Sequence, residues 1–171
     1  YLLPRESDWA RRQISELSKP LIAFSTRSKE EVKNWHVDNW KMVINDLSET
    51  FSIIHLGDNQ EPTFHGVHRF AGKCTMRESA ALLSHCSIFV GPDSLLMHMA
   101  NGLDIKSIII FGNARPVNCL GYSENINLIG NDAKNGSWIH HSPIDKEMQR
   151  SFIDIEADVV VSETLSFLCH A

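Results

Sequence analysis

The stretch that decides the fold is SIFVGPDSLLMHMANGLDIKSIIIFG, residues 87–112. Its first residues, 87–90, of which three are apolar, predict a buried strand that ends in glycine and proline. Residues 94–101 predict a helix, and we expect Gly102 to end that helix in the left-handed conformation. Residues 107–111 predict a second strand, the most apolar of the chain. A strand, a helix and a strand in this order indicate two parallel strands, and continuous apolar strands indicate a sheet covered on both faces.

The same alternation continues on both sides of this unit. Further strands are predicted at residues 21–24, 51–56, 67–70 and 126–129, and further helices at residues 38–47, 76–83 and 155–168. This alternation predicts an α/β fold with a Rossmann-like, doubly wound and mainly parallel sheet. Ligands of such sheets bind at the carboxyl ends of the strands, so the turns that follow the strands are where we expect a site.

Composition limits the classes of function. The chain has 171 residues, the size of one domain, and a net charge of −5, which does not favour nucleic acid as a partner. Its four cysteines form no C-x-x-C pair, so we expect free thiols and no metal. No apolar run approaches the ~20 residues of a transmembrane helix, and the first residues lack the apolar stretch of a signal peptide.

The start of the helix after Gly91-Pro92 has the character of an anion site. Asp93 or Ser94 can cap the helix with a side-chain oxygen, and the first amides, of Leu95 and Leu96, then face the space beyond the sheet. Free amides and the positive helix end favour phosphate. His98 lies about one turn further on and can reach the same space. An ordinary capped helix with a packed or exposed histidine is the structural alternative.

Other polar residues follow the predicted strands. Lys33 is the best candidate for a cation on a donor phosphate, with a solvated lysine as the alternative. Ser25 and Thr26 can bond a phosphate or sugar hydroxyl, or only form a turn. Glu61 can accept hydrogen bonds from sugar hydroxyls, or be an exposed loop residue. Arg115, after the strand at 107–111, can face the ligand or be a surface charge.

Four motifs, in this order along the chain, resemble the bacterial heptosyltransferase family, glycosyltransferase family 9. Lys33-Asn34-Trp35-His36 with Trp40 is similar to the family's K-x-W-P-x-x-x-W, and Leu56-Gly57 with Glu61 is similar to its G-x-x-x-E. Phe70 to Thr75 with Glu78 is similar to its L-x-G-x-T-x-x-E. Residues 91–100 followed by 108–116 are similar to a D-S/T-G-x-x-H-x-A helix followed by F-G-x-T-x-P. The chain departs from the family at Leu95, where glycine is usual, at His36 and Lys106, where proline is usual, and at Ala114, where threonine is usual.

The resemblance implies half of a GT-B enzyme, in which two Rossmann-like domains face each other across a cleft. We expect residues 1–18 to be a helix or linker leading from an N-terminal domain, and residues 19–171 to be the domain that binds the nucleotide-sugar. Asp93, Ser94, Leu95 and Leu96 would hold the donor diphosphate, with Lys33, His98 and Glu61 around it.

For the reaction, the family implies inverting transfer at the anomeric carbon, without a metal or other cofactor and with the catalytic base in the N-terminal domain. The implied donor is ADP-heptose or a related nucleotide-sugar. The implied acceptor is a lipopolysaccharide core or another bacterial glycan or protein. The implied location is the cytoplasm, including the inner face of the inner membrane.

Two alternatives stay open at this point. One is a non-catalytic module that binds a nucleotide-sugar, and the other is a related sugar-nucleotide enzyme such as an epimerase. A dehydrogenase is disfavoured because residues 24–28 contain no glycine, whereas a dinucleotide fingerprint needs G-x-G-x-x-G after the first strand. A serine hydrolase is disfavoured because the chain has no G-x-S-x-G elbow.

Overall fold

A computed structural model describes residues 1–30, 33–111, 121–130 and 155–170. Its sheet has six strands in the order β3-β2-β1-β4-β5-β6, and every pair of neighbours is parallel. The strands are β1 (Leu21–Phe24), β2 (Ser52–His55), β3 (Val67–Arg69), β4 (Ile88–Pro92), β5 (Ser107–Phe111) and β6 (Ile126–Ile129). The helices are α1 (Pro4–Gln13), α2 (Val37–Ser48), α3 (Met76–Leu83), α4 (Leu95–Gly102) and α5 (Ala157–His170). The doubly wound α/β prediction is therefore confirmed.

Helices cover the sheet on both faces, as the apolar strands require. Alternate residues of β1 supply the two cores: Ile22 and Phe24 face α2 and α5, whereas Leu21 and Ala23 face α1, α3 and α4. All four β1 side chains are buried. Two separate apolar layers therefore enclose the sheet, and its carboxyl edge is the part left to form a site.

Helix α1 packs on the domain itself. Its side chain Ala10 and the following Ile14 are buried in the same core as α3. Arg77 on α3 donates to both carboxylate oxygens of Glu6, at 2.6 and 2.7 Å. The polar segment before β1 thus contains a docked helix, while the predicted boundary at residue 18 stays a prediction.

The ends of two elements differ from their predictions. Gly102 is the last residue of α4 and does not adopt the left-handed conformation, which occurs two residues later at Asp104, with φ 58°. The helix ends at Gly102 as predicted, but the left-handed conformation predicted for this glycine is wrong. Strand β4 extends to Pro92 because Gly91 and Pro92 still pair with Ile109 and Ile110 of β5. The sequence pattern predicted that β4 ends at residue 90, immediately before the turn-forming Gly91.

Within the described ranges, the cysteines Cys74, Cys86 and Cys169 are free thiols, as expected; Cys119 lies outside them. No described helix is long and apolar enough to cross a membrane.

Candidate functional site

A cavity of about 550 Å³ lies where the winding of the sheet reverses. From the adjacent strands β1 and β4, the chain proceeds to opposite edges of the sheet, so the loops that follow them separate and leave a crevice. The predicted site residues on its wall are Ser25, Lys33, Glu61, Asp93, Ser94, Leu95, Leu96 and His98. Thr26 instead borders a smaller cavity of about 230 Å³, on the other side of the loop after β1.

The start of α4 forms one wall of this cavity. Ser94 is the N-cap residue, with extended backbone (φ −149°, ψ 176°), but its side chain makes no capping hydrogen bond. The predicted side-chain cap is therefore wrong. The Ser94 hydroxyl is buried without a hydrogen-bond partner in the described parts of the chain. The first-turn amides of an α-helix have no intrahelical acceptor, so the helix start offers donors to an anion in the cavity.

Asp93 does not cap the helix because it binds a lysine. Its carboxylate lies 2.9 Å from Nζ of Lys33, and both side chains are nearly buried, with 7% and 10% of their surface exposed. Attraction between opposite charges strengthens as water is excluded, so the pair holds Lys33 firmly on the cavity wall. The lysine ammonium and the helix start therefore face the same space.

Glu61 organises the loop that follows β1. Its carboxylate accepts hydrogen bonds from the backbone amides of Thr26 and Arg27 at 3.1 to 3.2 Å, and from the hydroxyls of Ser25 and Thr26 at 2.9 and 2.6 Å. Nε2 of His55 lies 3.0 Å from the same carboxylate. Burial alone would raise the pKa of Glu61, but hydrogen bonds from His55 and Thr26 outweigh burial and lower the pKa. Glu61 is thus an ionised carboxylate within a shell of protein donors.

Gly57 explains why the G-x-x-x-E spacing is needed. Its φ of +132° is rarely open to other residues, and a Cβ at this position would lie 2.5 Å from Oε1 of Glu61. Glycine therefore leaves the space into which the Glu61 carboxylate folds back.

The L-x-G-x-T-x-x-E motif has a different role in its T-x-x-E part, which marks the start of a helix. Thr75 and Glu78 form a reciprocal capping box at the start of α3.

His98 faces the cavity from α4 and has a neighbour that the sequence does not indicate. Its Nδ1 lies 2.9 Å from the Tyr122 hydroxyl, and the two rings meet edge to face. The ring orientation of His98 is therefore set by a residue of the segment before β6.

Sequence reasoning missed several parts of the wall. Arg27 and Lys29 follow β1 directly and line the cavity, and their position after a central strand is the signal that could have identified them. Cys74, Met76 and Met99 also line the cavity; nothing in their spacing indicated this. Arg115 and Ala114 lie outside the described residues. Within the described residues, no group of three or more histidine, cysteine or acidic side chains is placed to hold a metal.

The fold and the cavity define a class of protein: a Rossmann-like domain with a cavity at the strand ends where its winding reverses. The sequence matches the family model of glycosyltransferase family 9 (heptosyltransferase) over residues 3–145, and the chain belongs to that family. A search of curated proteins found no significant match.

Solved structures share the fold. The ADP-heptose lipopolysaccharide heptosyltransferase II of Escherichia coli superposes with a TM-score of 0.71 at 19% identity, covering 99% of this chain and 53% of that chain. The family 9 glycosyl transferase of Veillonella parvula has a TM-score of 0.78 at 15% identity, covering 100% and 53%. The dodecameric iron-containing heptosyltransferase TibC of enterotoxigenic E. coli, in complex with ADP-D-β-D-heptose, has a TM-score of 0.71 at 22% identity, covering 90% and 46%. The chain therefore spans about half the length of each of these structures.

Proposed function

We propose that this chain is the donor-binding domain of an inverting glycosyltransferase and that it binds the diphosphate of a nucleotide-sugar at the start of α4. The observation that carries the proposal is the Lys33–Asp93 pair, 2.9 Å long, on the same cavity wall as the helix start. A lysine ammonium and free helix amides are complementary to a diphosphate. Membership of a heptosyltransferase family supports ADP-heptose or a related donor.

The proposal gives each of these residues a role. The amides of Leu95 and Leu96, with the unpartnered Ser94 hydroxyl, stabilise negative charge on the leaving diphosphate, and Lys33 adds a cation beside them. His98 borders the same space. Ser25, Thr26 and Glu61 form the loop behind the phosphates. The acceptor, a lipopolysaccharide core or another glycan or protein, and the base that deprotonates it belong in this proposal to a second, N-terminal domain of a cytoplasmic enzyme.

Calorimetry tests the proposal directly. We expect the chain to bind ADP and ADP-sugars more tightly than UDP-sugars, and we expect EDTA to leave the affinity unchanged, because the proposal needs no metal. Adenosine without phosphates serves as the control and should bind much more weakly than ADP. Absence of ADP binding at millimolar concentration would contradict the proposal, and loss of binding in EDTA that Mg²⁺ restores would contradict the metal-free site.

One observation favours a second candidate, a non-catalytic module of the same fold that has lost the donor site. Leu95, where the family has glycine, begins α4 on the cavity wall with 53% of its surface exposed. Its side chain occupies space that a diphosphate needs in order to approach the backbone. If Leu95 only narrows a working site, Leu95→Gly should bind ADP more tightly than the wild type. If the site is lost, neither protein should bind ADP.

A further inference from the structure

His98 lies one helical turn after the N-cap of α4, on the same face of the helix. Residues four apart on a helix are neighbours, and helical side chains lean back toward the N-terminus. The His98 ring on the cavity wall therefore leans toward Ser94, whose hydroxyl is buried without a hydrogen-bond partner in the described parts of the chain. A donor on this ring would act on the same anion as the start of α4.

Tyr122 holds the His98 ring without itself lining the cavity. Its hydroxyl lies 2.9 Å from Nδ1 of His98, and the two rings meet edge to face with their centroids 5.7 Å apart. Within the described ranges, this is the hydrogen bond that the His98 ring makes. A hydrogen bond and a ring contact together fix the torsions of an exposed side chain that would otherwise populate several rotamers.

The position of Tyr122 is itself set by β6 and by the core under α4. Its carbonyl oxygen accepts hydrogen bonds from the Asn125 amide at 3.1 Å and from Nδ2 of Asn127 at 3.0 Å. Asn127 lies in β6 and pairs with Ile109 of β5 in the strand register. The half-buried Tyr122 ring packs against the core that α3 and α4 share. The hydroxyl thus reaches His98 from a fixed base, and the pair is formed without a ligand.

The chemistry of a diphosphate assigns the protons in this pair. An ionised phosphate oxygen only accepts hydrogen bonds, so Nε2 of His98 must carry a proton in order to bind it. In the neutral imidazole, Nδ1 then carries none and accepts a hydrogen bond from the Tyr122 hydroxyl. The opposite arrangement, with the proton on Nδ1, would leave a lone pair on Nε2 that repels the diphosphate.

We propose that Tyr122 is a positioning residue of the donor site: its hydroxyl donates to Nδ1 of His98 and holds the ring so that Nε2–H faces the diphosphate. Tyr122 does not touch the ligand and acts only through His98. The inference rests on the proposed function for the identity of the ligand, whereas the contact between the two side chains stands on the geometry of the chain alone. A ring that is already held loses little freedom on binding, and this raises the affinity.

The first experiment is made on the chain without nucleotide. Nitrogen-15 NMR at neutral pH shows which ring nitrogen of His98 carries the proton, and His98→Gln identifies the resonances. We expect the proton on Nε2. Carbon-13 relaxation then compares the mobility of the His98 ring in the wild type and in Tyr122→Phe, which keeps the aromatic ring and removes the hydroxyl. The order parameter should fall from roughly 0.85, the value of rigid backbone, to below about 0.6.

Tyr1→Phe is the matched control for this measurement. Tyr1 is the other tyrosine of the chain and is fully exposed, away from the His98 ring. The order parameter and the protonated nitrogen of His98 should both be unchanged in this variant.

The second experiment separates positioning from direct contact by titrating variants with ADP. Tyr122→Phe should weaken binding by about three- to tenfold, and His98→Ala by about tenfold or more. The double variant should bind no more weakly than His98→Ala alone, because Tyr122 has no effect once the ring is gone. His98→Gln, whose amide nitrogen can replace Nε2–H, should keep more of the affinity than His98→Ala.

The outcomes are separable. A proton on Nδ1 in the wild type, or equal ring mobility in the wild type and Tyr122→Phe, would overturn the positioning role whatever the ligand. An equal loss of affinity from Tyr122→Phe with and without the His98 ring would also overturn it, because Tyr122 would then act independently of His98. If the wild type does not bind ADP, the proposed function fails, and the ring measurements alone decide whether Tyr122 holds His98. If Tyr122→Phe does not fold, the protonation of the wild-type ring carries the test.

Discussion

At the scale of single residues, the Lys33–Asp93 pair both stabilises the fold and contributes to the proposed site. Lys33→Ala should lower the free energy of unfolding by roughly 3 kcal/mol, because it leaves a nearly buried carboxylate unpaired. It should also weaken ADP binding by about 1–3 kcal/mol, the usual range for a charge-assisted hydrogen bond. Urea unfolding and calorimetry measure the two effects.

The double variant Lys33→Met with Asp93→Asn separates these effects. It leaves no unpaired buried charge, since Glu30, the other carboxylate near Lys33, is half exposed, so most of the stability should return. ADP binding should stay weak because the cation is still missing. Lys41→Ala is the control: Lys41 pairs with Asp38 on exposed α2 surface, and neither stability nor binding should change. Wild-type affinity in the double variant would remove Lys33 from the phosphate site.

Glu61 gives a pH dependence at the same scale. Its pKa is lowered in the folded chain, so the folded state favours the ionised form, and this stabilisation is complete above the ordinary carboxyl value of 4.5. It is lost as the pH falls from that value through the lower folded pKa. The free energy of unfolding of Glu61→Gln should therefore decline less steeply in this window. Glu16→Gln, which changes an exposed carboxyl outside the network, should keep the wild-type slope.

At the scale of elements, the turn after β2 decides whether Glu61 can reach its partners. Gly57→Ala should lower the free energy of unfolding by about 1–3 kcal/mol, because its φ of +132° is strained for alanine and the new Cβ would displace the Glu61 carboxylate. Gly102→Ala is the matched control: a Cβ there meets nothing within 4 Å, so stability should be equal or slightly higher. Equal melting temperatures of Gly57→Ala and Gly102→Ala would contradict this explanation of the turn.

At the scale of the whole molecule, we expect the chain to melt cooperatively, bind donor weakly and transfer no sugar. Two enclosed apolar cores and a continuous six-stranded sheet support independent folding. An inverting transfer needs a base within hydrogen-bond reach of the acceptor hydroxyl. Of the three carboxylates on the cavity wall, Glu61 and Asp93 are engaged within the protein, and Asp58 accepts a hydrogen bond from the Gln60 amide. A transfer assay with ADP-heptose and a lipid-linked acceptor checks this, and turnover by the purified chain would overturn the two-domain proposal.

The sequence by itself determined the fold class, because the strands are continuous apolar runs and the helices between them carry apolar residues at helical spacing. It also indicated which segments reach the site, since residues that follow central parallel strands gather at one edge. The sequence did not determine how α4 begins. The Asp93 carboxylate pairs with Lys33, about sixty residues earlier in the chain, and is therefore not used to cap the helix. Only the tertiary structure decided the partners of Glu61. His55 and Arg69 meet through strand register, which is set by packing across the sheet and leaves no local pattern in the sequence.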